Sequence, residues 1–236
     1  MSELDVIRRL ARQVLTAPAL SGIKDNWLWD RTLRILRNVE HICRMPELAD
    51  QAMAIDRFSL IAAACFADSG FSGCKNAEGD SACPVLEDVS LSELRDLSTR
   101  AVSDKLTGIL ASSRIDRINR IIIESSNRQT GLTEAMILSD ARNLDDMGAV
   151  GLYNECRRYI IYGKGVTDIL ESWKRKIDYC YWQARLKESF RFESVRKLAK
   201  QRFVAAERFM NQLAVENAAG DLEEYLLESP DRQKSR

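Results

Sequence analysis

Apolar positions recur at three- and four-residue intervals along most of this chain, the period of an α-helix with one buried face. Ser2 followed by Glu3 and Asp5 reads as an N-cap with an acidic first turn, predicting a helix over Ser2 to Leu15, and Ala17 to Asn26 reads as a linker. From Trp27 to Arg44 the residues Leu28, Ile35, Val39 and Ile42 form one apolar stripe, and Pro46 marks its stop. Arg31, one turn from both Leu28 and Ile35, lies on that same inward face. Arg57 to Asp68 is apolar nearly all round, with Phe58, Leu60, Ile61, Cys65 and Phe66 among its alanines, which describes a helix buried on every side.

Ser69 to Glu87, carrying Gly70, Gly73, Gly79 and Pro84, is the longest irregular stretch and is expected to be a lid or an insertion. Helices are predicted over Ser90 to Ser112, Arg114 to Ser125, and Thr133 to Asp140 or beyond, with Gly131 and Gly148 as breaks. Val150 to Tyr162 follows and stops at Gly163-Lys164-Gly165, after which Val166 to Lys187 reads as another helix. In the last long helix Ala199, Phe203, Ala206, Met210 and Leu213 repeat every three or four residues, and the tail from Gly220 is expected to fray. The expected organisation is an N-terminal helix and linker over 1–25, a helical domain over 26–218 and a flexible tail over 219–236.

Composition agrees with this pattern, because 11 glycines and 4 prolines in 236 residues offer too little turn chemistry for many short strands. Thirty-five basic residues balance 35 acidic ones, so no global field draws the protein to nucleic acid or an anionic membrane. Met1 to Arg12 lacks an apolar signal-peptide core, and no stretch approaches the roughly 18 apolar residues of a membrane span, so the expected location is the cytoplasm. Of the six cysteines, Cys43, Cys65, Cys156 and Cys180 lie in apolar helical contexts and read as small buried hydrophobes. Cys74 and Cys83 flank a polar loop where a redox pair is conceivable but an exposed loop is the plainer reading.

The stretch Thr133-Glu134-Ala135-Met136-Ile137-Leu138-Ser139-Asp140-Ala141-Arg142-Asn143-Leu144-Asp145, continuing through Gly148-Ala149-Val150-Gly151, resembles a pattern of the HD superfamily of metal-dependent phosphohydrolases, T-E-A-x-I-x-x-D-A-D-x-L-D-x-x-G-A-x-G. Trp29-Asp30-Arg31-Thr32-Leu33-Arg34-Ile35 resembles the D-H-T-x-R-V helix of that family, and Cys65-Phe66-Ala67-Asp68-Ser69-Gly70 its L-L-H-D-I-G turn. Leu198-Ala199, Arg202, Phe209-Met210 and Glu216 are similar to its closing helix, so the resemblance runs in order from Trp27 to Glu216. It implies an all-α fold, an HD-domain-like orthogonal helical bundle with the active site in its middle.

In that family a histidine of the second helix, the His-Asp doublet and a later aspartate hold a divalent cation that generates a nucleophile from bound water. Carried over residue by residue, the first histidine falls on Arg31, the doublet on Ala67 and Asp68, and the last aspartate on Arg142. A further family histidine falls near Ser126 or Asn127. Only Asp68 survives. His41, the one histidine, stands ten residues beyond Arg31 in the same helix, about 15 Å along its axis, and cannot replace it.

Two arginines in place of two ligands bring permanent positive charge beside Asp68. The plainer reading is a buried Arg31-Asp68-Arg142 ion triad that keeps Asp68 paired. The sharper one is an anion site in which the guanidiniums of Arg31 and Arg142 hold a phosphate or nucleotide without hydrolysis. A third possibility is an all-carboxylate Mg or Mn site of Asp68, Asp140 and Asp145, although acids that cap helices or pair with arginines explain the latter two as well.

Other features carry less. Gly163-Lys164-Gly165 lacks phosphate-loop spacing and reads as a turn. Trp173, Tyr179, Tyr181 and Trp182 interleave with Lys174, Arg175 and Lys176, a pattern some nucleic-acid surfaces share but one that the aromatic face of a core helix equally explains. Ser112-Ser113 and Ser125-Ser126 have no histidine to activate them. The resemblance and its departures together imply a pseudo-phosphohydrolase, a catalytically inactive HD-domain protein that binds a phosphate-containing small molecule or a protein partner. On this reading no cofactor, nucleic acid or membrane is expected. The alternative is a metal-dependent phosphohydrolase acting on a nucleotide or small phosphate ester through the rearranged carboxylates.

Overall fold

The computed structural model describes residues 2–18, 24–73 and 90–222. The chain divides into two compact units, one of Met1–Asp145 with Glu188–Arg196 and one of Asp146–Lys187 with Lys197–Arg236. The fold is all-α, apart from two-residue strands at Ala17–Pro18 and Lys24–Asp25 that pair antiparallel where the linker was expected.

The first unit contains α1 (Glu3–Leu15), α2 (Trp27–Ile42), a 3-10 turn (Pro46–Gln51), α3 (Arg57–Phe66), α4 (Gly70–Gly73), α5 (Leu91–Leu106), α6 (Ser112–Glu124) and α7 (Thr133–Asp145). The N-terminus of α1 is closed as the sequence indicates: the Asp5 amide donates to Ser2 Oγ at 3.2 Å and the Ser2 amide to Asp5 Oδ2 at 2.9 Å. Its Ile7, Ala11 and Leu15 are fully buried, so α1 packs into this unit against α3.

Helix α3 occupies the middle of the unit. It begins where Asp56 accepts the Ser59 amide at 3.0 Å, and it packs against α1, α2, α5, α6 and α7. This explains why Leu60, Ala62, Ala63, Ala64, Cys65 and Phe66 are all buried, and why its apolar character runs all round. Burial of Phe66 alone contributes about 1.5–3 kcal/mol. Burial also pushes the Cys65 thiol up to about 12, so this sulfur is an inert core group.

Two boundaries differ from expectation. The helix predicted over Ser90 to Ser112 stops at Leu106, because Thr107 turns extended (φ −61°, ψ 131°) and hands over to a tight turn before α6. The irregular stretch from Ser69 first makes the short α4, and its remainder over 74–89, with Cys74 and Cys83, lies outside the described residues.

The second unit contains α8 (Gly148–Ile161), α9 (Val166–Asp178) and most of α10 (Tyr181–Glu188) and of α11 (Glu193–Asn217). Leu152, Tyr159, Ile169, Ala206 and Met210 form its core. Val166 to Lys187, expected as one helix, breaks at Tyr179-Cys180, where Cys180 takes a φ of 53°. Geometry supplies the reason: Trp173 and Trp182 are nine residues, or two and a half turns, apart and would face opposite ways on one helix. The break lets Trp182 pack 5.3 Å from Trp173 and 5.7 Å from Phe203. Cys180, at the break, is exposed, and Cys156 on α8 is half-buried, correcting the expectation that both are buried; Cys43 and Cys65 are buried as expected. Tyr179 stands exposed, so the aromatic and basic run is partly core and partly surface. The tail is described only to Leu222. Among the described residues no helix is long and apolar enough to cross a membrane.

Candidate functional site

Helices α2 and α7 lie along one another, with Asn38 Nδ2 donating to the Ala141 carbonyl at 3.1 Å. This places Arg31 and Arg34, one turn apart on α2, opposite Arg142 and Asp145 of α7. Asp68 enters from the turn after α3. That turn is fastened to α5 by Ser98, whose hydroxyl donates to the Ala67 carbonyl at 3.2 Å and accepts the Gly70 amide at 3.0 Å. A Cβ on Gly70 would stand 2.7 Å from the Leu94 carbonyl oxygen, so only glycine lets α5 close over the segment carrying Asp68.

Five charged side chains meet there. Arg31 Nε donates to Asp68 Oδ2 and Arg31 Nη1 to Asp145 Oδ2, each at 2.8 Å. Arg142 Nη2 donates to Asp68 Oδ1 at 2.7 Å. Arg34 reaches Asp145 with two nitrogens, Nε to Oδ1 at 2.7 Å and Nη2 to Oδ2 at 3.2 Å. Every oxygen of both carboxylates therefore accepts from a guanidinium, in the short, charge-assisted geometry that planar donors favour.

The cluster is graded in depth. The side chains of Arg31, Asp68 and Asp145 are at most 3% exposed, whereas Arg34 and Arg142 reach solvent at 26% and 21%. Burial by itself would raise the Asp68 pKa, but the charges and hydrogen bonds of Arg142 and Arg31 outweigh it and hold the group below its ordinary value. Asp68 is thus a carboxylate at neutral pH.

Of the residues singled out in the sequence, Arg31, Asp68, Arg142 and Asp145 come together. Asp140 does not join them. Although fully buried, it points to the start of α11, where its carboxylate accepts the Arg191 amide at 2.9 and 3.0 Å and the Phe192 amide at 3.0 Å, the arrangement of a helix cap. The carboxylate set Asp68, Asp140 and Asp145 is therefore split between two tasks, and among the described residues no group of three or more His, Cys, Asp or Glu is placed to hold a metal ion. His41 is exposed near the far end of α2.

Sequence reasoning passed over Arg34, which stands in the matched segment of α2 one turn from Arg31; that spacing was the available signal. It also passed over Glu134, a buried acid that accepts the Asp56 amide and Arg117 Nη2, both at 2.9 Å, and so ties the start of α7 to α3 and α6.

An all-α fold with a buried arginine–carboxylate cluster at its α2–α7 seam is the class these observations define. Solved structures share the fold. YpgQ of Bacillus subtilis, determined in complex with ADP, is 20% identical with a TM-score of 0.56, covering 91% of this chain and 94% of its own. The Lin1889 protein of Listeria innocua is 18% identical with a TM-score of 0.54, over 92% and 98% of the two chains. A Lactobacillus plantarum protein is 16% identical with a TM-score of 0.56, over 92% and 97%. No protein-family model and no curated protein matches the sequence.

Proposed function

We propose that this chain is an HD-type phosphohydrolase domain that has exchanged its metal centre for arginines, and that it binds a phosphate-bearing small molecule, in the first instance a nucleotide, without hydrolysing it. One observation carries the reading: Arg31 and Arg142, at the positions where the resemblance puts metal ligands, converge on Asp68, and Arg34 and Arg142 present their positive charge to solvent. Guanidinium forks match phosphate oxygens in shape and charge. That YpgQ was crystallised with ADP supports a nucleotide as the first ligand to try.

A second reading is a scaffold whose cluster only holds α2, α3 and α7 together, and the saturation of all four carboxylate oxygens favours it. Hydrolysis through a Mg or Mn site of Asp68, Asp140 and Asp145 has no observation on its side, since Asp140 caps α11.

Thermal unfolding with ADP, in the presence of a chelator, separates these readings. A binding module is stabilised, by about 2.7 kcal/mol when ADP stands at a hundred times its Kd, and loses the shift when Arg34 and Arg142 are both replaced by alanine. A scaffold shows no shift with ADP.

A further inference from the structure

We propose that the arginine cluster takes its phosphate ligand in the metal-free form, so that Mg2+ competes with the protein for the ligand instead of assisting its binding. This rests on the reading of the cluster as a phosphate site. A site that accepts a metal–nucleotide complex offers the cation carboxylate oxygens or room for its retained waters. The carboxylates of this cluster are Asp68 and Asp145, each 1% exposed, and guanidinium N–H groups already occupy all four of their oxygens. Turning one of them toward a cation would take from Arg31, itself buried, one of the two carboxylates it bridges, and breaking into a buried ion network is destabilising.

Charge argues the same way. The side of the cluster that reaches solvent consists of Arg34 and Arg142, and two permanent cations at that edge attract an anion and repel a dication. The divalent cation that the family resemblance implies therefore does not fit these residues. Guanidinium donors occupy its place and meet phosphate oxygens directly.

The test is calorimetric titration of the full chain with ADP, first in a chelator and then with Mg2+ set to leave about one-tenth of the ADP uncomplexed, ionic strength being matched. The expected result is a Kd about tenfold weaker in Mg2+, by the mass action that lowers apparent affinity when one-tenth of a species is competent. Adenosine, which lacks phosphate, is expected not to bind. An unchanged or tighter Kd in Mg2+, or binding seen only with Mg2+, overturns the proposal while leaving nucleotide binding intact. Absence of binding under both conditions overturns the phosphate-site reading and this inference with it.

Discussion

Replacing Arg31 with methionine retains much of the side chain's volume and deletes the guanidinium that both buried carboxylates share. Removing one partner of a buried ion pair costs about 3–5 kcal/mol, because an uncompensated charge is left in the interior. Here the stranding is partial: Asp68 keeps Arg142 at 2.7 Å, and Asp145 keeps Arg34 at 2.7 and 3.2 Å. The expected loss is therefore at the low end, about 3 kcal/mol at neutral pH. Its pH dependence follows from Asp68, whose carboxyl is held below the ordinary range by Arg142 and Arg31. A depressed pKa contributes stability that is complete above the unfolded value of about 3.9 and disappears as pH falls through the folded value. The gap between wild type and Arg31→Met is thus widest near neutrality and narrows in acid below about pH 4. Native-state hydrogen exchange at α2 and α7 reads the first unit by itself. A loss below about 1 kcal/mol, the ceiling for most solvent-exposed pairs, or a gap that stays constant into acid, would refute a buried and coupled network.

Two further expectations concern other residues. Burial pushes the Asp140 carboxyl up to about 6, against the lowering effect of the Phe192 and Arg191 amides. A raised pKa means the folded chain holds this proton more tightly than the unfolded chain. The group's contribution is therefore most favourable in acid and declines as pH rises from about 4 to about 6, by about 3 kcal/mol. Carboxyl carbon NMR follows it directly, and a midpoint near 4 would count against the burial argument; Asp140→Ala, which deletes the cap, should cost about 1–2 kcal/mol and speed exchange at the Arg191 and Phe192 amides. Gly151→Ala drives a Cβ into the backbone carbonyl of Asp146 at the start of α8 and should destabilise the second unit by about 1–3 kcal/mol, seen as faster exchange in α8; unchanged exchange would refute the steric argument.

Helix α3 was legible because residues apolar on every side have no other stable placement than the middle of a bundle. Periodicity alone placed Arg31 inward, but its meeting with Asp68 and Arg142 was visible only through the resemblance, since an inward arginine on a stripe says nothing about which acid it finds. Asp140 and Asp145 show the same limit. Two acids of one helix, five residues apart, serve unrelated ends, one capping α11 and the other bridging two arginines, and only tertiary structure assigns them. Arg34 entered only as one residue of the matched segment of α2, because nothing in its neighbours marks the approach of α7. The break at Tyr179-Cys180 was illegible for a different reason: no glycine or proline punctuates it, and packing of Trp182 beside Trp173 imposes the positive φ on a cysteine.

The proposed replacement of a cation by guanidiniums at the seam of α2 and α7 is open to direct test by metal content. Purified protein would be loaded in turn with Mn, Fe, Co, Ni and Zn, dialysed, and measured by elemental analysis. The expected result is that no metal is retained in stoichiometric amount, with Asp68 still paired to Arg31 and Arg142. One tightly held equivalent per chain, lost on Asp68→Asn, would contradict it and return the surviving carboxylates to the role of ligands.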